Sequence, residues 1–201
     1  MTAVAKKSSI RGRANLANSE TDQDILIQEA KEDRAAFAQL YRMHYELVFR
    51  YCSRRLFNRH AAEDVTSTVF LKVLRKLGSF EGNSRGFRNW LYSIATNAIN
   101  DHLRTKARRA DAIRMATREL GCSVSAGSDS DLQEINLALK QAVLALQPKY
   151  QTVITLRFFE KMKLTESAEV LDQNPATIRS QLSRALKRLR KELKAIGHLG
   201  L

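Results

Sequence analysis

Apolar side chains recur at steps of three and four along most of this chain, and no alternating pattern of period two competes with them. That spacing lines one face of an α-helix; a half-buried strand needs strict alternation instead. Only 2 prolines and 8 glycines punctuate 201 residues, too few for the many tight turns of an all-β fold. The fold class expected is all-α, with two small helical domains joined by a flexible linker. Hydrophobic residues make up 44% of the chain, an ordinary globular share that excludes global disorder. No apolar run approaches the ~18 residues needed to span a bilayer. The opening MTAVAKKSSIRGR has no apolar stretch of signal-peptide length. A cytoplasmic protein without membrane contact is expected.

The periodicity divides the chain. Residues 1–20 carry Lys6, Lys7, Arg11 and Arg13 with little apolar company and read as a disordered basic tail. Residues 21–110 form the first domain. Phe37, Leu40, Tyr41, Tyr45, Val48, Phe49, Cys52 and Leu56 make one stripe, with Asp33 as its start signal and Asn58 as its stop. A second helix fits 61–77, closed by Gly78 as C-cap. A polar loop over 79–86 leads to a third helix over about 87–108. Small polar residues dominate 119–131, inside a linker expected over 111–131. Residues 132–196 form the second domain. Pro148 suits a helical first turn, Thr165 the cap of a short helix over 166–171, and Asn174-Pro175 the start of the last helix.

That last pair of helices carries the strongest functional signal. A short helix, a turn at Asp172-Gln173-Asn174 and a longer basic helix have the layout of a helix-turn-helix. Lys and Arg number 34 against 21 Asp and Glu, a net charge of +13, which favours a polyanionic partner. Thr177, Arg179, Ser180, Ser183 and Arg184 point away from the Ile178/Leu182/Ala185 stripe. In a major groove such side chains meet base edges and phosphates. A solvated basic face is the plain alternative; the short helix, the turn and the charge together favour DNA.

Segment 79–109 is a second signal. Phe80, Asn83, Arg85, Phe87, Arg88, Trp90 and Tyr92 precede Asn97, Asn100, Asp101, Arg104, Arg108 and Arg109. Aromatic rings mixed with cations and amides suit unstacked bases. Trp90 is assigned mainly to the core, and the Arg104–Arg109 cluster is either a phosphate clamp or a solvated helix end. A third signal is the mixed face of helix 61–77, which fits a docking surface or a merely solvated one. Catalysis finds no support. His44, His60, His102 and His198 lack metal-ligand spacing, Cys52 and Cys122 form no CxxC pair, and no phosphate loop or Gly-x-Ser-x-Gly elbow occurs. No cofactor, metal or enzymatic activity is expected.

Particular runs of residues resemble a known family. Phe37-Ala-Gln-Leu-Tyr41, Ala62-Glu63-Asp64-Val65, Phe70-Leu71-Lys72-Val73 and Trp90-Leu91-Tyr92-Ser93-Ile94-Ala95-Thr96-Asn97 resemble domain 2 of bacterial RNA polymerase sigma factors of the sigma-70 family. The nearest group is the small extracytoplasmic-function (ECF) type. Leu146-Gln-Pro148-Lys-Tyr150, Leu164-Thr-Glu-Ser-Ala168 and Ala176-Thr177-Ile178-Arg179-Ser180 resemble domain 4. Domain 3 is missing, as in that group. Ser167 stands where the family usually has Ile, which should weaken packing there.

The resemblance implies a promoter-specificity subunit. Glu63, Asp64, Thr68, Phe70 and Lys72 would bind the clamp helices of the largest subunit of core RNA polymerase. Phe80, Asn83, Ser84, Arg85, Phe87, Arg88, Asn97, Asp101, Arg104 and Arg108 would hold the non-template strand of the −10 element. Thr177, Arg179, Ser180, Ser183, Arg184, Lys187 and Arg188 would read the −35 duplex. The polymerase subunit that contacts domain 4 and an anti-sigma factor are further partners the resemblance allows. The main alternative is a stand-alone helix-turn-helix regulator that binds DNA as a dimer. A helix-turn-helix recombinase needs an α/β domain the pattern does not offer, and an RNA-binding stress protein would tolerate loss of the base-facing residues.

Overall fold

The computed structural model describes residues 20–116 and 131–195, with the side chains of 111–116 and 131–137 left aside. The basic tail before residue 20, most of the expected linker and Cys122 lie outside the described residues. Every described element is helical, and two compact units form: residues up to 53 with 58–95, and residues 54–57 with 96 onward.

The first unit holds α1 (20–29), most of α2 (Arg34–Leu56), α3 (Arg59–Lys76) and the N-terminal half of α4 (Ser84–Ala116). Each start has a visible cause. Both carboxylate oxygens of Asp33 accept, from Ala35 N–H at 3.0 Å and Ala36 N–H at 3.1 Å, so Asp33 caps α2 as its sequence suggests. Asn58 does more than stop a helix: its Oδ1 accepts from Ala61 N–H at 2.8 Å and starts α3. Between the two helices Phe57 turns the chain at φ 50. Gly78 does not act as a C-cap. The chain leaves α3 through a 3-10 turn over Leu77–Ser79, closed by Phe80 N–H to Leu77 O at 3.0 Å.

The apolar stripes meet as expected. Val65, Val69 and Val73 of α3 and Leu77 of the 3-10 turn are buried, as are Val48, Tyr51 and Cys52 of α2 and Leu91 of α4. Tyr51 meets Tyr92 edge-on, 5.1 Å between ring centres. The expected polar loop shrinks to four residues because α4 begins at Ser84. Asn83 Oδ1 accepts from Gly86 N–H at 2.9 Å, and the Asp24 carboxylate accepts from Ser84 N–H. An acid at a helix N-terminus meets the positive end of the dipole. Gly82 sits at φ 149, and a Cβ there would lie 3.0 Å from Phe80 Cζ.

The second unit contains α5 (Asp131–Leu144), α6 (Pro148–Ile154), a π-turn over Thr155–Phe159, α7 (Leu164–Leu171) and α8 (Pro175–Ala195). Pro148 occupies the first turn of α6, where its missing N–H costs nothing. α7 starts at Leu164 rather than after a Thr165 cap, because Glu166 Oε2 reaches back to Lys163 N–H at 2.6 Å. Leu146, Tyr150, Ile154 and Ala185 form one apolar cluster, and Val153, Ala168 and Ile178 form another. Leu182 packs against both. Ser167 is fully buried, and its hydroxyl is satisfied by donating to Lys163 O at 3.1 Å. Arg55, although a charged side chain, is also fully enclosed, its Nη1 donating to Gln151 Oε1 at 2.8 Å.

Three stability effects follow from this packing. Ile178→Ala removes a side chain with no exposed surface and should cost about 2–5 kcal/mol in chemical denaturation. Gly82→Ala should lower Tm, because the added methyl meets both an unfavourable φ and the Phe80 ring. His44 is held neutral: burial first, then the Arg88 charge, lowers its pKa from 6.5 to about 4. Below pH 6.5 the unfolded chain takes up a proton that the fold refuses. Stability should therefore drop as pH falls through that window, by up to about 1.4 kcal/mol per pH unit. Denaturation of His44→Leu across the same range should lack that slope.

Candidate nucleic-acid interface

The turn between α7 and α8 sets the geometry. Asp172 adopts φ 49 and ψ 51, a left-handed conformation that aspartate tolerates better than most residues. Gln173 N–H bonds back to Ala168 O at 2.9 Å, and Asn174 Oδ1 accepts from Ala176 N–H at 2.8 Å. Gln181 Nε2 donates to Gln173 Oε1 at 2.8 Å, tying the turn to α8 two turns on. Ile178 and Ala185 are fully buried beneath, and Ala168 is the small residue against which Ile178 packs.

This placement decides the opposite face. Thr177, Arg179, Ser180, Ser183, Arg184, Lys187 and Arg188 are all exposed. Arg188 stands apart, its guanidinium 5.0 Å over the Tyr150 ring. The other six project outward from a helix whose N-terminal end carries the positive pole of its dipole, which favours anions. The Arg side chains can form bidentate bonds to guanine, and the hydroxyls can bond to bases or phosphates.

Along the first half of α4 the structure revises the expectations. Phe80 and Phe87 are buried, so neither ring is open to stack on a base. They meet edge-on at 5.5 Å, and Trp90 packs 5.0 Å from Phe80 and 5.7 Å from Phe87. Trp90 is half-buried and keeps part of its ring at the surface, the reverse of the roles read from sequence. Asn83 is exposed, but its Oδ1 serves as a cap, and Ser84 gives its N–H to Asp24. Arg85 is exposed. Arg88 is half-buried beside His44, 5.8 Å over the Tyr92 ring. Asn97, Asp101, Arg104 and Arg108 lie on later turns counted with the second unit; all are exposed and share one helical face. Asp101 Oδ1 accepts from Arg104 Nη2 at 2.9 Å.

On α3, Asp64 and Thr68 are exposed, Lys72 is half-buried, and Glu63 is paired with Arg59 at 2.9 Å. Phe70 is buried, its ring edge-on to Tyr41 at 4.6 Å, and cannot be a contact residue. Sequence reasoning missed Leu71 and Leu74, which are 55% and 52% exposed. Both lie off the Val65/Val69/Val73 stripe, and that offset was the available signal. Among the described residues no three His, Cys, Asp or Glu side chains gather as a metal site, and no helix is long and apolar enough to cross a membrane.

Comparison with known proteins accounts for both units. Residues 40–109 match sigma-70 region 2 and residues 136–189 match sigma-70 region 4. The ECF RNA polymerase sigma factor SigW of Bacillus subtilis is 32% identical over 176 residues, covering 83% of this chain and 94% of SigW. BldN of Streptomyces coelicolor, also an ECF sigma factor, is 33% identical over 170 residues, 84% of this chain; the chain spans 64% of BldN's length. The ECF sigma-E factor of Escherichia coli is 30% identical over 174 residues, 82% of this chain and 90% of that protein. The fold is that of CnrH, solved with the cytosolic domain of CnrY (TM-score 0.63, 22% identity, 86% of this chain and 97% of CnrH). The region 2 match occupies the half that a stand-alone regulator would devote to ligand binding or dimerisation. With a helix-turn-helix behind that half and near-complete coverage of SigW, the chain belongs to the ECF group of sigma-70-family RNA polymerase sigma factors.

Proposed function

We propose that this sigma factor divides promoter recognition between two surfaces, with residues 21–110 acting as domain 2 and 132–196 as domain 4. α8 enters the major groove of the −35 element and reads it through Arg179, Ser180, Ser183 and Arg184, with Thr177 and Lys187 on flanking phosphates. Arg188, docked on Tyr150, steadies the helix beside the groove. α4 and its leading turn hold the opened −10 strand. There Trp90 offers the accessible ring, Phe80 and Phe87 form the rigid wall behind it, and Arg85, Asn97, Arg104 and Arg108 supply polar and cationic contacts. α3 docks on the polymerase clamp helices through Asp64, Thr68 and Lys72, with Leu71 and Leu74 supplying apolar area. The protein acts by binding, in the cytoplasm, and carries no catalytic group of its own. A regulator of the anti-sigma kind would act by covering these faces.

One observation carries this reading: α8 buries Ile178 and Ala185 completely while six polar residues of its first half and middle face water without competing roles. Phosphate contacts supply affinity that falls with salt. Each base-edge pair adds about 1–3 kcal/mol of discrimination. Unstacking a −10 base costs a few kcal/mol, which a shaped site recovers. Two weak sites act as one strong site only while the polymerase fixes their separation.

In run-off transcription with core polymerase, Arg179→Ala and Arg184→Ala should each lower −35-dependent initiation by about tenfold or more. Affinity for core polymerase, measured by fluorescence anisotropy without DNA, should stay unchanged. Loss of polymerase affinity in either variant would overturn the assignment of α8.

A further inference from the structure

The outward stripe of α8 does not end where groove reading ends. Ser180, Arg184, Lys187, Lys191 and Lys194 succeed one another at steps of three and four, all exposed and all opposite Ile178 and Ala185. Along this stripe the chemistry changes. Its first half carries Ser180 and Arg184, groups that match base edges. From Lys187 onward it carries only lysine. A lysine is a flexible point charge that neutralises phosphate without fixing a planar pair of bonds. No ion pair among the described residues engages Lys187, Lys191 or Lys194. The one nearby acid of α8, Glu192, is half-buried and off the stripe.

Length supports the same division. At 1.5 Å per residue the stripe from Thr177 to Lys194 runs for about 26 Å. The major groove is about 12 Å wide, so a helix that enters by its N-terminal end leaves the base edges near the middle of α8. Lys191 and Lys194 then lie beyond the groove wall, at the height of the sugar–phosphate backbone.

Resting on the −35 reading above, the geometry points to a second, sequence-independent DNA contact at the end of α8: Lys191 and Lys194 form a phosphate rail that adds affinity without adding specificity. The helix thus separates reading from holding along its own axis.

The test uses holoenzyme, assembled from core polymerase and the full chain, on a promoter fragment it transcribes and on the same fragment with its −35 element scrambled. Binding is measured over a salt series. The Lys191→Gln/Lys194→Gln double variant should lose about two units from the slope of log affinity against log salt, since each phosphate contact contributes about 0.9. The affinity ratio between the two DNAs should not change, and Lys191→Arg/Lys194→Arg should keep the original slope. Circular dichroism checks that α8 stays helical. An unchanged slope overturns the rail, as does a changed ratio, or a loss of affinity for core polymerase without DNA that would assign the lysines to a protein partner. Arg184→Ala separates this inference from its premise. If that variant leaves the ratio intact while the lysine variant lowers the slope, the base-reading assignment falls and the rail stands.

Discussion

Leu182 touches both apolar clusters of the second unit, and with Ile178 and Ala185 it decides which side of α8 faces water. A recognition helix carries no information unless its rotation about its own axis is fixed. Two buried side chains and the half-buried Leu182 between them, at steps of four and three, supply that constraint, and the left-handed Asp172 with the Gln173–Gln181 bond supplies the angle. Every polar residue of α8 assigned to the −35 element takes its direction from this seam. The seam is built from α6 and α7 as much as from α8, because Val153, Tyr150 and Ala168 are its floor.

The first unit solves a different problem. In the −10 role proposed for it, its surface would meet unstacked bases, whose flat faces need a ring that does not move. Phe80 and Phe87 are withdrawn from solvent and packed edge-on, with Trp90 leaning on both. Burial of two rings fixes the third, so one partly exposed aromatic is presented rigidly instead of three loosely. Gly82 permits this, since its φ lets the chain pass close over Phe80. Rigidity at such a site lowers the entropy lost on binding.

The helices were legible because burial of one face leaves a period in the sequence. The stripes of α2, α3 and α8 carry that period without interruption, and Asp33 and Asn174 announce two starts by local hydrogen bonding alone. Misreadings cluster where the deciding partner is distant or unusual. Phe80 and Phe87 sit among polar residues, and only the contact with Trp90 and His44 shows that they are interior. Phe70 is likewise interior, packed edge-on against Tyr41. Gly78 invites a left-handed cap, yet the 3-10 turn makes that conformation unnecessary. The family itself was legible because its two motif blocks lie in separate segments and in order.

The outward residues of α8 bear almost none of the weight of the fold. Exposed positions remote from caps and cores usually change stability by no more than about half a kcal/mol. The lettering on this helix can therefore be rewritten while its typeface stays set. A descendant chain could acquire a new genomic address through a handful of surface substitutions, with no need to re-evolve the scaffold that displays them.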